Sequence, residues 1–147
     1  MTTSALTLTG DPASAAQPAR LRAILLGCGV VGGGVVDRLP EGIALVGVLA
    51  RTPRPGGLGG APVFTDPDAV FALKPDLVIE ALPGGDIAEA LLERAVAAGC
   101  HVITANKDVA ARRPDLARRA KSFAGSAAVG GGAPVLETVK RLKASGA

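Results

Sequence analysis

The sequence predicts an α/β fold in which a mostly parallel, doubly wound sheet carries helices on both faces. Three observations predict it. Short aliphatic runs alternate along the chain with stretches of helical spacing. The apolar content is aliphatic: 48% of residues are hydrophobic, with no Trp, no Tyr and only three Phe. Twenty glycines and eleven prolines break those runs into turns. With 147 residues, the chain is long enough for one domain with a real core.

The elements follow in order. Residues 1–19 hold no basic n-region and no long apolar stretch, and read as a disordered leader before a domain at 20–147. Arg22–Leu26 is an apolar run ending at Gly27, the pattern of a buried parallel strand. Val30 to Leu39 is expected as the first helix, stopped by Pro40. Gly33 and Gly34 within it each lower helix propensity by up to about 1 kcal/mol, which close packing on a sheet would offset. Ile43–Ala50 is the second strand, followed by a Pro/Gly-rich loop from Thr52 to Pro62. Asp66-Pro67 opens a short helix, with Pro67 where a missing N–H costs nothing.

Asp76–Leu82 is the next strand, and Pro83-Gly84-Gly85 a turn. Asp86 and Glu89 are spaced as a helix cap pair. Ile87, Leu91 and Ala95, flanked by Ala88, Leu92 and Val96, continue at helical spacing as far as Gly99. Cys100–Thr104 is a further strand and Pro114 begins a basic helix. Ser126–Val129 reads as a last short strand and Pro134–Lys143 as a closing helix. No internal repeat is visible, and no apolar run approaches the roughly 18 residues of a membrane span.

The net charge of +3 is unevenly spread. Residues 1–100 carry seven Lys/Arg against ten Asp/Glu, and residues 101–147 carry nine against three. A basic end suggests a nucleic-acid patch or, more simply, solvated helix faces that also help attract a phosphorylated ligand. The scarcity of aromatic side chains argues against nucleic acid, because it leaves no platform for stacking bases. Cys28 and Cys100 form neither a disulfide framework nor a metal-ligand spacing, so a reducing cytoplasm and no metal site are expected.

The chemistry-bearing stretch is Gly27-Cys28-Gly29-Val30-Val31-Gly32, a G-x-G-x-x-G pattern between a predicted strand and a predicted helix. That context marks a Rossmann-type dinucleotide site. Gly27 permits the tight turn, Gly29 the close approach of a pyrophosphate, and Gly32 the packing of helix on strand. The amides of Val30 and Val31 face the phosphates at the positive end of the helix. After the second strand, the carboxylate that holds an NAD ribose is replaced by Ala50-Arg51-Thr52. An arginine there suits a 2′-phosphate, so NADP is expected, with NAD as the alternative. Cys28 reads as a small loop filler and His101 as a structural residue. Glu80, inside an apolar strand, is suited either to touch the cofactor or to cap a neighbouring loop.

The segments GCGVVGGGVVDRL, DLVIEALPGG, AAGCHVITANK and AAVGGGAPVLETVKRL occur in this order. Together, over roughly residues 20–145, they resemble the nucleotide-binding domain of homoserine dehydrogenase. Thr104-Ala105-Asn106-Lys107 is the most specific part. The resemblance implies an oxidoreductase of amino-acid biosynthesis that interconverts L-homoserine and L-aspartate 4-semialdehyde with NAD(P)H. It places Gly27, Gly29, Val30, Val31 and Gly32 at the pyrophosphate and Arg51 near the adenosine ribose. Leu82, Pro83 and Gly84 then lie on the nicotinamide side, with Asn106 and Lys107 beside the cofactor. Lys107 is the implied catalytic residue, donating to a carbonyl oxygen that gains charge during hydride transfer.

Where the family carries a Glu-Ala-Ser/Thr-Val-x-Gly-Gly run that holds a monovalent cation, this sequence has Ser126 and Ala128 in place of the carboxylate and hydroxyl. The sequence ends at Ala147, before the region that in the family forms the substrate domain and most of the dimer interface. The expectation is therefore a cofactor-holding half-site, inactive alone, that meets substrate with a further domain or partner chain and is open to oligomerisation. The alternative is a stand-alone NAD(P)-binding or pseudoenzyme module acting as a sensor or partner subunit.

Overall fold

The structure, a computed structural model, describes residues 21–124 apart from 28, 30–33, 35, 38, 40 and 41. The expected leader, Cys28, Val30, Val31 and Gly32, the strand at Ser126–Val129 and the helix at Pro134–Lys143 lie outside the described residues, as does most of the first helix. Six strands are described: β1 (Leu21–Leu26), β2 (Ile43–Leu49), β3 (Val63–Phe64), β4 (Leu77–Glu80), β5 (His101–Thr104) and β6 (Ser122–Ala124). Four helices accompany them: α1 (Pro67–Phe71), α2 (Gly85–Ala97), α3 (Lys107–Arg112) and α4 (Pro114–Arg119). Among the described residues no helix is long and apolar enough to cross a membrane.

All strands are parallel and stand in the order β3-β2-β1-β4-β5-β6. This is the doubly wound arrangement, whose strand order reverses between β1 and β4. Strands buried on both faces should read as continuous apolar runs, and β4 and β5 are buried at every position. On one face Leu25, Ile79 and Ile103 pack with Val36, Leu39 and Leu58. Gly34, Val36 and Asp37 have helical backbone, so a helical segment covers this side. On the other face Ile24, Leu26, Val78 and Val102 meet Val70 of α1, Leu92 and Ala95 of α2, Val109 of α3 and Leu116 of α4. A fully buried side chain such as Leu92 contributes about 1.5–3 kcal/mol relative to an exposed one.

Several expectations need correction. The strand predicted over Asp76–Leu82 ends at Glu80, because the Leu82 N–H turns away to the Glu80 carboxylate at 2.8 Å. Asp86 and Glu89 form no cap pair. Gly84 caps α2 at φ 110° without a side-chain bond, which leaves Asp86 in the first turn of the helix. Glu89 instead pairs with Arg112 and Arg113. Ile87 keeps the predicted helical spacing and is 70% exposed. The basic helix begins at Pro114 as expected, though it stops at Arg119.

Arg112, Arg113 and Arg119 of the basic segment are held in ion pairs. Arg113 binds Glu89, Glu93 and Asp115, and Arg119 binds Glu93 and Asp115, joining α4 to α2. Hydrogen bonds from Arg119 and Arg113 hold the Glu93 carboxyl down at about 2. On the opposite flank Arg94 reaches Asp68 at 2.7 Å and lies over the Phe71 ring, tying α2 to α1.

Candidate functional site

The carboxyl ends of the strands converge at the reversal between β1 and β4, where ligands bind in open α/β sheets. Leu26 pairs with Leu49 on one side and Glu80 on the other, so β1, β2 and β4 end level. Gly27 then turns sharply at φ 92°, donating its N–H to the Leu49 carbonyl at 2.8 Å. A Cβ at Gly27 would stand 2.8 Å from the Ala81 carbonyl oxygen. Only glycine permits that approach of the two chains.

A groove of about 630 Å³ opens above this edge. Its floor is Gly27 and Gly29, and one wall is Leu49, Ala50, Arg51 and Thr52 at the end of β2. Ala81, Leu82 and Pro83, leaving β4, form the opposite wall; Ile87 and Leu91 of α2, with Thr65 and Pro67, complete it. Gly29 is exposed, and a Cβ built there meets nothing within 4 Å among the described residues. The groove therefore offers open space over bare backbone, flanked by apolar side chains and one arginine. Those are the features a flat aromatic ring linked to phosphates needs.

Of the sequence-predicted residues, Gly27, Gly29, Arg51, Leu82 and Pro83 thus share one groove. Gly84, Asn106 and Lys107 stand just beyond its wall. Lys107 is exposed at the first position of α3, directly after the Asn106 cap. Asn106 reaches back across the edge: its side-chain amide donates to the Leu82 carbonyl at 3.0 Å and to Glu80 at 2.5 Å. A Cβ on Gly84 would lie 2.8 Å from the Asn106 side-chain Oδ1. Glu80, fully buried, also accepts from Thr104 and from the Leu82 N–H. Burial pushes its carboxyl above the ordinary range, against the three hydrogen bonds that lower it. The capping role left open for Glu80 is the one it takes in this structure.

The sequence reading missed Thr65, Ile87 and Leu91 as walls. Thr65 follows a two-residue strand too short to leave a periodic signal. Ile87 and Leu91 carried a helical spacing, which identifies a face and not what covers it; Leu91 is buried in the core as well as lining the groove. His101 and Cys100 lie at the opposite, amino edge of the sheet and take no part in the groove. His101 Nδ1 pairs with the Ser122 hydroxyl at 2.8 Å, and Nε2 is buried without a partner among the described residues. Burial lowers the His101 pKa and raises that of Cys100.

Comparison with known proteins matches residues 27–128 to the family described as homoserine dehydrogenase, NAD binding domain. Homoserine dehydrogenase of Synechocystis sp. is 35% identical over 136 residues, 80% of this chain and 31% of that protein. The Pseudomonas aeruginosa homoserine dehydrogenase is 31% identical over 134 residues, 79% of this chain and again 31% of the relative. A crystal structure of S. aureus homoserine dehydrogenase at pH 6.0 superposes with a TM-score of 0.65 at 26% identity, covering 76% of this chain and 33% of that one. The chain thus spans about a third of the length of the relatives it matches.

Proposed function

The chain belongs to the family of homoserine dehydrogenase NAD-binding domains, and from that premise we propose that its groove binds a nicotinamide dinucleotide phosphate, serving the interconversion of L-homoserine and L-aspartate 4-semialdehyde. The observation that carries the reading is the juxtaposition of the bare Gly27–Gly29 floor with Arg51 at the end of β2. The pyrophosphate lies over Gly27 and Gly29, and the sequence motif assigns Val30, Val31 and Gly32, outside the described residues, to the same phosphate site. The Arg51 guanidinium meets the ribose 2′-phosphate, for which its planar fork is suited. Leu82, Pro83 and Gly84 border the nicotinamide, and Asn106 sets the loop beside it.

When bound, the dinucleotide supplies or accepts a hydride. The chain's own contribution at that point is Lys107. Its ammonium, exposed at the carboxyl edge after β5, donates a hydrogen bond to the substrate's carbonyl oxygen as charge gathers there. Hydride transfer also needs the substrate held in near-attack geometry. The 147-residue polypeptide by itself is expected to oxidise homoserine near background while still binding cofactor.

The test is a titration with NADPH and NADH, read by the ligand's own fluorescence, which no Trp or Tyr obscures. Arg51→Ala is expected to weaken NADPH roughly ten- to hundredfold, the range for hydrogen bonds to a charged group, and to leave NADH unchanged. Equal weakening of both ligands overturns the 2′-phosphate assignment. Failure of the wild type to bind either overturns the groove assignment.

A further inference from the structure

Glu80 is a fully buried carboxylate at the end of a central strand, and no cation partners it among the described residues. Such a group is costly to bury, and an apolar residue would serve a purely packed strand better. Its surroundings explain what it is for. β4 and β5 pair so that Glu80 lies directly beside Thr104, and a loop leaves each strand at that level. Three donors converge on the one carboxylate: the Leu82 N–H at 2.8 Å, the Asn106 side-chain amide at 2.5 Å and the Thr104 hydroxyl. Thr104 Oγ1 in turn accepts from the Asn106 N–H at 2.9 Å, and Asn106 returns to the Leu82 carbonyl at 3.0 Å. The ring is closed, linking both loops through a single acceptor group.

We propose that Glu80 is a positioning residue that locks the Leu82–Gly84 loop to the Asn106–Lys107 segment, fixing the wall of the dinucleotide groove and the start of α3 as one unit. Leu82 and Pro83 belong to the groove wall, and Lys107 follows Asn106 directly. Gly84 approaches from the same side, where a Cβ would press on the Asn106 side-chain Oδ1 and displace that side chain from the ring. A carboxylate suits the place because it is acceptor-only, matching three incoming donors. Glutamine keeps one oxygen for Leu82 and Asn106 and turns its NH₂ toward the Thr104 hydroxyl, which can accept. The ring is then weakened and not abolished.

The test has two arms. Amide hydrogen exchange of the 147-residue protein is followed in peptides covering 81–86 and 104–110, for wild type, Glu80→Gln, Glu80→Ala and Asn106→Ala. Glu80→Ala is expected to speed exchange in both segments by at least about tenfold, one lost hydrogen bond to a charged group, with Glu80→Gln restoring most of the protection. Asn106→Ala is expected to speed exchange at Leu82–Gly84 although the substitution lies on another loop. It carries the test even where Glu80→Ala does not fold. Exchange confined to the substituted loop overturns the proposal.

The second arm rests on the groove being the dinucleotide site and measures NADPH affinity against Leu116→Ala, a core substitution under α4 away from the groove. Loss of affinity in Glu80→Ala, rescue by Glu80→Gln and none in Leu116→Ala is the expected pattern. Equal loss in Leu116→Ala reduces Glu80 to general stability and overturns it. Because the exchange arm needs no ligand, failure of the cofactor assignment is distinguishable from failure of the lock.

Discussion

Gly27 and Gly29 lie two residues apart in one motif, and the structure gives them different work, so their alanine variants should part company. At Gly27 a Cβ would stand 2.8 Å from the Ala81 carbonyl oxygen and 3.0 Å from its carbon, both backbone atoms that no rotamer can move aside. The residue also sits at φ 92°, in the left-handed region. Holding alanine there costs about 1–2 kcal/mol, and forcing an extra carbon into a packed contact about 1–3 kcal/mol. A loss of roughly 2–5 kcal/mol follows, which for a domain of this size lowers the melting temperature by at least about 6 °C. The contact joins β1 to β4, so the loss should be global.

At Gly29 the same methyl meets nothing within 4 Å among the described residues, and the backbone is not left-handed. Removing a glycine there restricts the unfolded chain, so stability should hold or rise by up to about 1 kcal/mol. The methyl does project into the groove where the pyrophosphate is proposed to lie, and NADPH affinity should fall by about tenfold or more, 1.4 kcal/mol per decade. Thermal unfolding and NADPH titration on both variants decide it. A Gly27→Ala protein melting within about 2 °C of wild type refutes the backbone-contact reasoning, since that is less than 1 kcal/mol. Wild-type NADPH affinity in Gly29→Ala refutes the groove.

Glu93 is held at about 2 by Arg119 and Arg113, below its unfolded value, so the stability it contributes is present above about 4.5 and lost as pH falls toward 2. Urea unfolding across that window should show a flatter acid slope for Glu93→Gln than for wild type; identical slopes sink the assignment. His101 has the opposite chemistry and the same sign: burial favours its neutral form, so protonation favours unfolding and stability falls as pH drops below about 6.5. An NMR titration of its ring should give a midpoint below the ordinary histidine value, and a midpoint above it contradicts the buried pairing with Ser122.

The architecture was legible because long apolar runs and glycine punctuation report directly on buried parallel strands. β1, β2, β4, β5 and α2 were all readable from spacing, and Pro67 and Pro114 marked two helix starts. β3, α3 and β6 were not, for a physical reason: at two, six and three residues they are too short for periodicity to rise above composition. α2's entry was misread because Asp86 and Glu89 fit a cap pattern that Gly84 pre-empts with a left-handed backbone. In the groove, the glycines and Arg51 carried their own local signals. The Glu80–Thr104–Asn106 ring showed only in separate parts, Glu80 as a candidate loop cap and Thr104 to Asn106 within the most family-specific stretch, since its members come from different strands and meet only when β4 and β5 pair in register.

The exposure of Ile87 closes the physical account of the groove. One face of α2 buries Ala88, Leu92 and Ala95 on the sheet, and its outer side is bound into ion pairs through Glu89, Glu93 and Arg94. Ile87, in the first turn, lines the groove at 70% exposure, and Leu91, one turn on, lines it while buried. An isoleucine in that position contributes little to the fold, since most of its surface stays in water, yet its burial by a ligand is worth up to about 1.5–3 kcal/mol. Ile87→Ser should therefore leave the melting temperature near wild type and weaken NADPH and NADH alike, because the apolar wall does not distinguish the 2′-phosphate. A variant that loses stability while keeping affinity would return Ile87 to the core and remove the apolar wall from the site.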